Sequence, residues 1–255
     1  AACGARLALF HAIADPVYMD AFMLQGMTLQ QVQRQWRERV AARLQKHAQA
    51  LRRDGLTVDV GCEWDFPAYE AIIRQAARAD ADLIVAERHA TRHVLPWLLR
   101  FNDWELLRRS PVPVLLVKRA QAYHKPAVLA AIDPSHSFAK PAKLDEDILA
   151  AASLLSVALN GKLHVAHAWP GALLPEDRLS LVPTNVRQST EKRASSFARK
   201  AFAATLARSG VSDARRHFVS GHAIDVIPAL ARKQRARIVV MGAVSRGRLD
   251  RALHL

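Results

Sequence analysis

The sequence is poor in the features that mark secreted and membrane-spanning proteins. Cysteine occurs only twice in 255 residues, at Cys3 and Cys62, so no disulfide framework is indicated and a reducing cytosol fits. No apolar run approaches the roughly 20 residues that cross a bilayer. We therefore predict a cytoplasmic protein that has no membrane partner.

Acidic residues are also in short supply. Aspartate and glutamate number 23 against 37 lysines and arginines, which gives a formal net charge of +14. This balance favours anionic partners such as nucleic acid or phosphates. Most basic residues are interleaved with acidic or apolar ones, so we expect most of the charge to lie on solvated helix faces. The densest run, Arg232–Arg237, is either a patch for anions or, the interpretation we favour, the solvated end of a helix.

What the sequence does contain is an internal repeat. The strand-like segment Arg6–Ala12 returns as Lys162–Ala168, and Asp82–Glu87 returns as Arg237–Gly242, at a spacing that stays at about 155 residues. A near-constant offset over the whole length indicates two copies of one structural unit. Strands alternate with helices in each copy, which favours parallel sheets with right-handed crossovers.

Hydrophobic periodicity predicts the elements of each copy. The first copy has strands over 6–12, 57–63, 82–87 and 112–118, and helices over 28–53, from Tyr69 and over 103–111. The second has strands over 127–133, 162–168, 214–219 and 238–241, and helices over 144–159, 190–209 and from Ile224. We expect Asp103 to cap its helix, and Phe197, Ala201 and Leu206 to face the core.

The repeat predicts an α/β protein with two tandem, doubly wound, Rossmann-like parallel-sheet domains related by a pseudo-two-fold axis. Residues 1–118 form the first domain, 119–126 a linker and 127–255 the second. The first copy has no counterpart of strand 127–133 and its helix, and the second stops before counterparts of 103–118. We therefore expect a sequence trimmed at both ends, a dimer-like contact within one chain, and a monomer or a weak homodimer.

A candidate ligand site follows the strand Ile238–Met241. The strand runs into a turn of small residues that begins at Gly242. Small residues let backbone N–H groups approach a ligand closely, and open α/β sheets bind ligands at this edge. An ordinary turn is the alternative, and the strand and the glycine alone do not separate the two.

Three stretches carry a recognisable pattern: Asp103–Lys118, Ala130–His136 with Lys140–Asp145, and Val239–Arg246. They resemble the universal stress protein family in its tandem, E-type form, and the resemblance covers essentially the whole sequence. It implies a five-stranded parallel sheet in each domain, in the order 3-2-1-4-5, with helices on both faces. It also implies a non-enzymatic role in the stress response, and an edge strand, Val112–Lys118, near the contact between the domains.

Many members of that family bind ATP through an aspartate after strand one and a glycine-rich loop after strand four. The resemblance implies that Asp133 is this aspartate and Gly242 the first glycine of the loop. Ser245 stands in the place of the second glycine and Leu255 in that of the third. We therefore predict weak binding of ATP or another adenine nucleotide at six residues: Asp133, Met241, Gly242, Val244, Ser245 and Gly247.

The first copy departs further from this pattern. Glu87 and Ala90 occupy its glycine places, and the strand-one aspartate is missing from the sequence given. A carboxylate repels phosphates. Any nucleotide is therefore expected in the second copy alone.

Other candidate chemistry is interpreted as structural. His11 and His167 occupy matching strand positions, and neither has a carboxylate or cysteine at metal-ligand spacing, so a structural histidine is favoured over a catalytic or metal-binding one. Asp133, Ser135 and His136 stand in one turn, which favours a turn and capping role over a hydrolase triad.

Two alternatives to a small-ligand sensor stay open. One is a stress protein that binds RNA or DNA through its basic surface, for which a steep salt dependence is expected. The other is a weak ATPase, which the sequence supports poorly because no general base or Walker lysine is evident.

Overall fold

A computed structural model of the chain describes residues 4–13, 28–87, 96–118, 122–135, 143–171 and 183–243. The chain divides into two compact units, Ala1–Gln121 and Ala122–Leu255. Both units combine parallel strands with helices, which confirms the predicted α/β class. No helix in the ranges described is long and apolar enough to cross a membrane.

The elements follow one order in both units. The first unit contains β1 (Leu7–Ile13), α1 (Leu29–Arg53), β2 (Val58–Trp64), α2 (Ala68–Arg78), β3 (Ile84–Glu87), α3 (Pro96–Arg109) and β4 (Val114–Val117). The second contains β5 (Ala127–Ala131), α4 (Leu144–Ala158), β6 (Lys162–Trp169), α5 (Thr184–Leu206), a 3-10 turn (Asp213–Arg215), β7 (Arg216–Ser220), α6 (Ala223–Lys233) and β8 (Ala236–Met241). In the repeat, β1 corresponds to β6, β2 to β7 and β3 to β8.

The second unit is built on one four-stranded parallel sheet in the order β7-β6-β5-β8. Counted from the first strand of the unit, this is 3-2-1-4, the order that the resemblance implies for these strands. β5 lies in the interior of the sheet, and Val128, Leu129 and Ala130 are fully buried there. Such burial is expected for an apolar parallel strand that is covered on both faces.

Helices cover both faces of this sheet. α4 and α5 pack on one face, where Ile148, Phe202 and Leu206 join the core. α6 packs on the other face, where Ile227 and Leu230 contact Leu129 and its neighbours. Right-handed crossovers place the helices that lead toward β7 on one face and the helix that leads back to β8 on the other. The ends of β5 and β8 therefore lie where the strand order reverses.

The first unit contains two parallel strand pairs, β1 with β2 and β3 with β4. α2 bridges them, because Ala76 packs with Ile84 of β3 and Leu106 of α3 while the same helix also lies against β1. Within the described part of the chain, no strand pairs with the second edge of β1 or of β3. In the second unit, the corresponding edges of β6 and β8 are the edges that pair with β5.

Two sequence predictions about helices are wrong. Phe197 is 67% exposed, and the buried residues of α5 are instead Ala198, Phe202 and Leu206. These three residues are spaced four apart and lie on one face of the helix, and Phe197 lies beside that face. Asp103 does not cap a helix, because α3 begins at Pro96 and Asp103 lies in its interior. Proline suits the first turn of a helix, so the helix begins earlier than the pattern indicated.

Candidate functional site

The carboxyl ends of β5 and β8 lie side by side in the second unit. Ala131 pairs with Met241, and these are the last residues of the two strands. Asp133 follows shortly after Ala131, and Gly242 directly follows Met241. The two loops that leave these strands therefore start next to each other at the point where the strand order reverses. Open α/β sheets bind ligands at such a point.

The Asp133 turn is held by the first turn of α4. The backbone N–H of Asp133 donates a hydrogen bond of 3.1 Å to Oδ1 of Asp145. Asp145 lies in the first helical turn, where the helix dipole favours a carboxylate. The Asp133 side chain is 46% exposed. Its carboxylate therefore reaches solvent at the rim of the sheet while its backbone is fixed.

A buried histidine lies beneath this rim. The His167 ring is fully buried, and its Nδ1 is 3.1 Å from the carbonyl oxygen of Ile132. Because a carbonyl oxygen only accepts, Nδ1 carries the proton, and Nε2 of the neutral ring is an acceptor. Nε2 lies 3.5 Å from Oγ of Ser135, and Nδ1 lies 3.6 Å from Oδ1 of Asp133. His167 therefore lies directly against both residues of the rim, while its Nδ1–H is directed to the Ile132 carbonyl.

The Ser135 hydroxyl joins the same group. Its Oγ donates to Oδ1 of Asp133 at 2.8 Å, a shorter contact than the one to His167. A hydroxyl has one proton, so the serine proton is directed to the aspartate rather than to the imidazole. A serine nucleophile needs its proton on the way to a histidine acceptor. The arrangement thus suits a hydrogen-bonded turn better than a hydrolase triad, and His136 lies outside the described residues.

Sequence spacing alone did not reveal the carboxylate that lies near His167 in space. The pairing of β5 with β6 brings Asp133 to the histidine, although the two are far apart in sequence. The register of the parallel pair explains this contact, because Ala131 pairs with Ala166, the residue before His167. His11, the counterpart on β1, is exposed, so the two histidines do not share one environment.

Gly242 packs closely against a neighbouring side chain and has no unusual backbone angle. A Cβ atom at this position would lie 3.0 Å from Cδ2 of Leu144, the first residue of α4. That distance is tighter than an ordinary van der Waals contact. A side chain at position 242 would therefore require the Leu144 side chain to shift.

Cations and aromatic rings line the same edge of the sheet. Trp169 is the last residue of β6, and a groove of about 500 Å³ lies between it and α5. The α5 side chains that border this groove include Glu191 and three cations: Lys192, Arg199 and Lys200. The Arg199 guanidinium also lies 4.2 Å from the centre of the Phe218 ring, a cation–π contact. The charge of the groove is therefore positive on balance.

Three of the six predicted ligand-binding residues stand at these adjacent strand ends: Asp133, Met241 and Gly242. Met241 is 56% exposed. The other three lie outside the described residues: Val244, Ser245 and Gly247. In the described ranges, no group of three or more histidine, cysteine, aspartate or glutamate side chains is placed to hold a metal ion.

Comparison with protein-family models gives a match over most of the chain. The model described as the universal stress protein family matches residues 1–118 and 128–254. Both halves of the chain are thus matched by the same model, in agreement with the internal repeat.

Curated relatives with similar sequences are universal stress proteins of the E type. A universal stress protein E homolog from Haemophilus influenzae is 25% identical over 197 residues, which cover 74% of this chain and 61% of that protein. Universal stress protein E from Photorhabdus laumondii is 24% identical over 258 residues, which cover 98% of this chain and 79% of that protein. The chain thus spans about three fifths of the length of the Haemophilus relative.

Solved structures share the fold. A protein of unknown function from Pseudomonas aeruginosa PAO1 superposes with a TM-score of 0.63 at 25% identity, over 96% of this chain and 84% of that one. A universal stress protein from Archaeoglobus fulgidus superposes with a TM-score of 0.61 at 15% identity, over 94% of this chain and 76% of that one. The second likeness concerns the fold alone.

Proposed function

The chain belongs to the universal stress protein family as a tandem, E-type member, and we propose that it is a non-enzymatic stress-response protein whose second unit senses a small ligand. An adenine nucleotide is the first candidate for that ligand. One observation carries the proposal: Asp133 and Gly242 follow adjacent strand ends at the reversal point of the second sheet.

The chemistry of the rim suits recognition of a polar ligand. The Asp133 carboxylate accepts hydrogen bonds, so it can accept from an adenine amino group or a ribose hydroxyl. Its position is fixed by the Asp145 contact to its backbone and by the Ser135 hydroxyl, which donates to its side chain. A ligand therefore meets an acceptor that is already in place, which limits the ordering cost of binding.

Charge at the same edge supports an anionic ligand. The groove beside Trp169 has three cationic side chains and one carboxylate among those that border it. Phosphate oxygens are attracted by such a surplus of positive charge. In the first unit the exposed Glu87 ends the strand that corresponds to β8, and a carboxylate there opposes phosphates. We therefore assign nucleotide binding to the second unit alone.

Binding of ATP should be weak. Ser245 stands where the family has a glycine, and a side chain in a left-handed backbone costs on the order of 1–2 kcal/mol. That is about a tenfold loss of affinity. We expect a dissociation constant in the high micromolar range or above.

Calorimetric titration with ATP tests this assignment on three proteins: the wild type, Asp133→Ala and Glu87→Ala. We expect Asp133→Ala to abolish the binding heat and Glu87→Ala, which makes the same charge change in the first unit, to leave it unchanged. Binding that survives Asp133→Ala, or that is lost in Glu87→Ala, would place the site elsewhere.

A further inference from the structure

Two histidines face each other at the opposite, amino edge of the second sheet. His164 on β6 and His217 on β7 approach with 3.1 Å between Nδ1 of the first and Nε2 of the second. Their ring planes differ by 8° and their centroids are 5.4 Å apart. The centroid distance equals the sum of the two ring radii and the nitrogen–nitrogen distance, so both centroids and both nitrogens lie on one line. The rings are therefore joined edge to edge by an N–H···N hydrogen bond rather than stacked face to face.

Cations from three different elements stand at the same edge of the sheet as the pair. Lys162 is the first residue of β6, Arg215 immediately precedes β7, and Lys233 is the last residue of α6, which returns toward this edge. A cation at the end of α6 is explained by the helix dipole. That explanation does not extend to Lys162 at the start of β6, and Arg215 ends the 3-10 turn before β7, where its Nε donates to Oγ of Ser212 at 3.0 Å.

The electrostatic effect of this cluster is visible in both imidazoles. Burial lowers the pKa of His164, and the charges of His217, Arg215 and Lys162 lower it further. Burial also lowers the pKa of His217, and Lys233 adds to the effect. None of the described groups that shift either pKa is acidic. Asp213, which lies close by in the chain, is paired with Arg216 at 3.1 Å.

We propose that the amino edge of the second sheet binds a phosphate group between the His164–His217 pair and the cations Lys162, Arg215 and Lys233. A phosphate accepts hydrogen bonds from imidazole, ammonium and guanidinium donors, and its charge offsets the mutual repulsion of this cluster. The site lies at the edge opposite to Asp133 and is independent of the nucleotide site proposed there. The site gives Lys233, which belongs to the basic run at the end of α6, a role in ligand binding.

Binding at this site should be coupled to proton uptake. An anion beside the imidazoles favours their charged form and raises their pKa from its lowered value. Affinity should therefore increase as the pH falls below about 6.5, by up to about tenfold per pH unit for one coupled proton. A site built from lysine and arginine alone would instead bind a phosphate group less tightly at the lower pH, because the phosphate takes up its own second proton at about pH 6 and loses charge.

Histidine Hε1 signals in the NMR spectrum of the whole chain provide the test, with inorganic pyrophosphate as the probe. We expect it to shift the signals of His164 and His217, and to bind more tightly at about pH 5.5 than at about pH 7.5. His217→Gln should remove most of that pH dependence. Lys233→Gln, a change at an exposed position, should weaken binding several-fold at both pH values.

Matched variants separate a built site from general attraction to a basic protein. Lys46→Gln makes the same charge change at an exposed position of the first unit and should leave the affinity unchanged. The proposal fails if pyrophosphate moves neither histidine signal, or if Lys46→Gln weakens binding as much as Lys233→Gln.

A short RNA oligomer, titrated in parallel, identifies the source of the phosphate. If RNA shifts the same signals more strongly, with a steeper salt dependence, the natural ligand is a nucleic-acid backbone. If pyrophosphate binds as well as the oligomer, a free phosphate compound is sufficient. Both results support the site, because both move the histidine signals.

Discussion

Replacing His167 by alanine should destabilise the second unit by about 4 kcal/mol. The ring is fully buried, with Phe202 at 6.0 Å and Phe218 at 5.4 Å between centroids. Removing a buried ring leaves a cavity that costs about 3 kcal/mol. The carbonyl of Ile132 also loses its Nδ1–H donor, which adds about 1 kcal/mol. Domains have about 5–15 kcal/mol of unfolding free energy, so the loss is large.

Urea unfolding that is followed at one tryptophan measures this loss in the second unit alone. Trp169 is the one tryptophan between residues 122 and 255, and its ring lies 6.4 Å from that of Phe218. Fluorotryptophan labelling makes its ¹⁹F NMR signal a local reporter of the core. His167→Asn keeps an N–H donor near the position of Nδ1, so it should lose roughly half as much stability as the alanine variant.

The repeat supplies a control for this experiment. His11 occupies the matching position of β1 but is exposed, so His11→Ala leaves no buried cavity and should destabilise the first unit much less than His167→Ala destabilises the second. The reasoning is refuted if His167→Ala unfolds at the wild-type urea concentration. It is also refuted if His11→Ala costs as much as His167→Ala.

Two further predictions concern pH. The pKa values of His164 and His217 are lowered, first by burial, so the folded second unit binds protons less readily than its unfolded chain and should lose stability as the pH falls below about 6.5. His217→Gln should flatten that decline in urea midpoints, and parallel curves for variant and wild type would contradict this. Hydrogen bonds from Arg74 are the main cause that lowers the pKa of Glu63 and of Asp65. Arg74→Gln should therefore raise both pKa values, and the stability of the first unit should then fall less as the pH is lowered. Carboxyl ¹³C titration measures the two pKa values, and unchanged values in the variant would show that the guanidinium does not lower them.

The larger features of the fold were accessible from the sequence because they rest on local patterns. Apolar runs gave the strands, and the near-constant offset of the repeat gave two units. The alternation of strand and helix then predicted parallel sheets, and the second unit has one. Asp133 and Gly242 were also placed together correctly at adjacent strand ends, because both follow apolar strands that the resemblance puts side by side.

What the sequence did not predict depends on distances between elements. The contact between Asp133 and His167 exists only because β5 and β6 pair in one register, which no local pattern specifies. The facing pair His164 and His217 likewise depends on how β6 lies beside β7. Phe197 was assigned to the core on its apolar character, but the rotation of α5 against the sheet decides which line of the helix is buried.

The position of His167 has a mechanical consequence for the rim above it. The imidazole contacts Asp133 at one side and lies against the rings of Phe202 and Phe218 at the other. A ligand that displaces the carboxylate therefore also strains the close-packed core, because a tightly packed interior transmits small shifts rather than absorbing them. Occupancy at the edge of the sheet should thus be felt at α5, the helix that contributes Phe202.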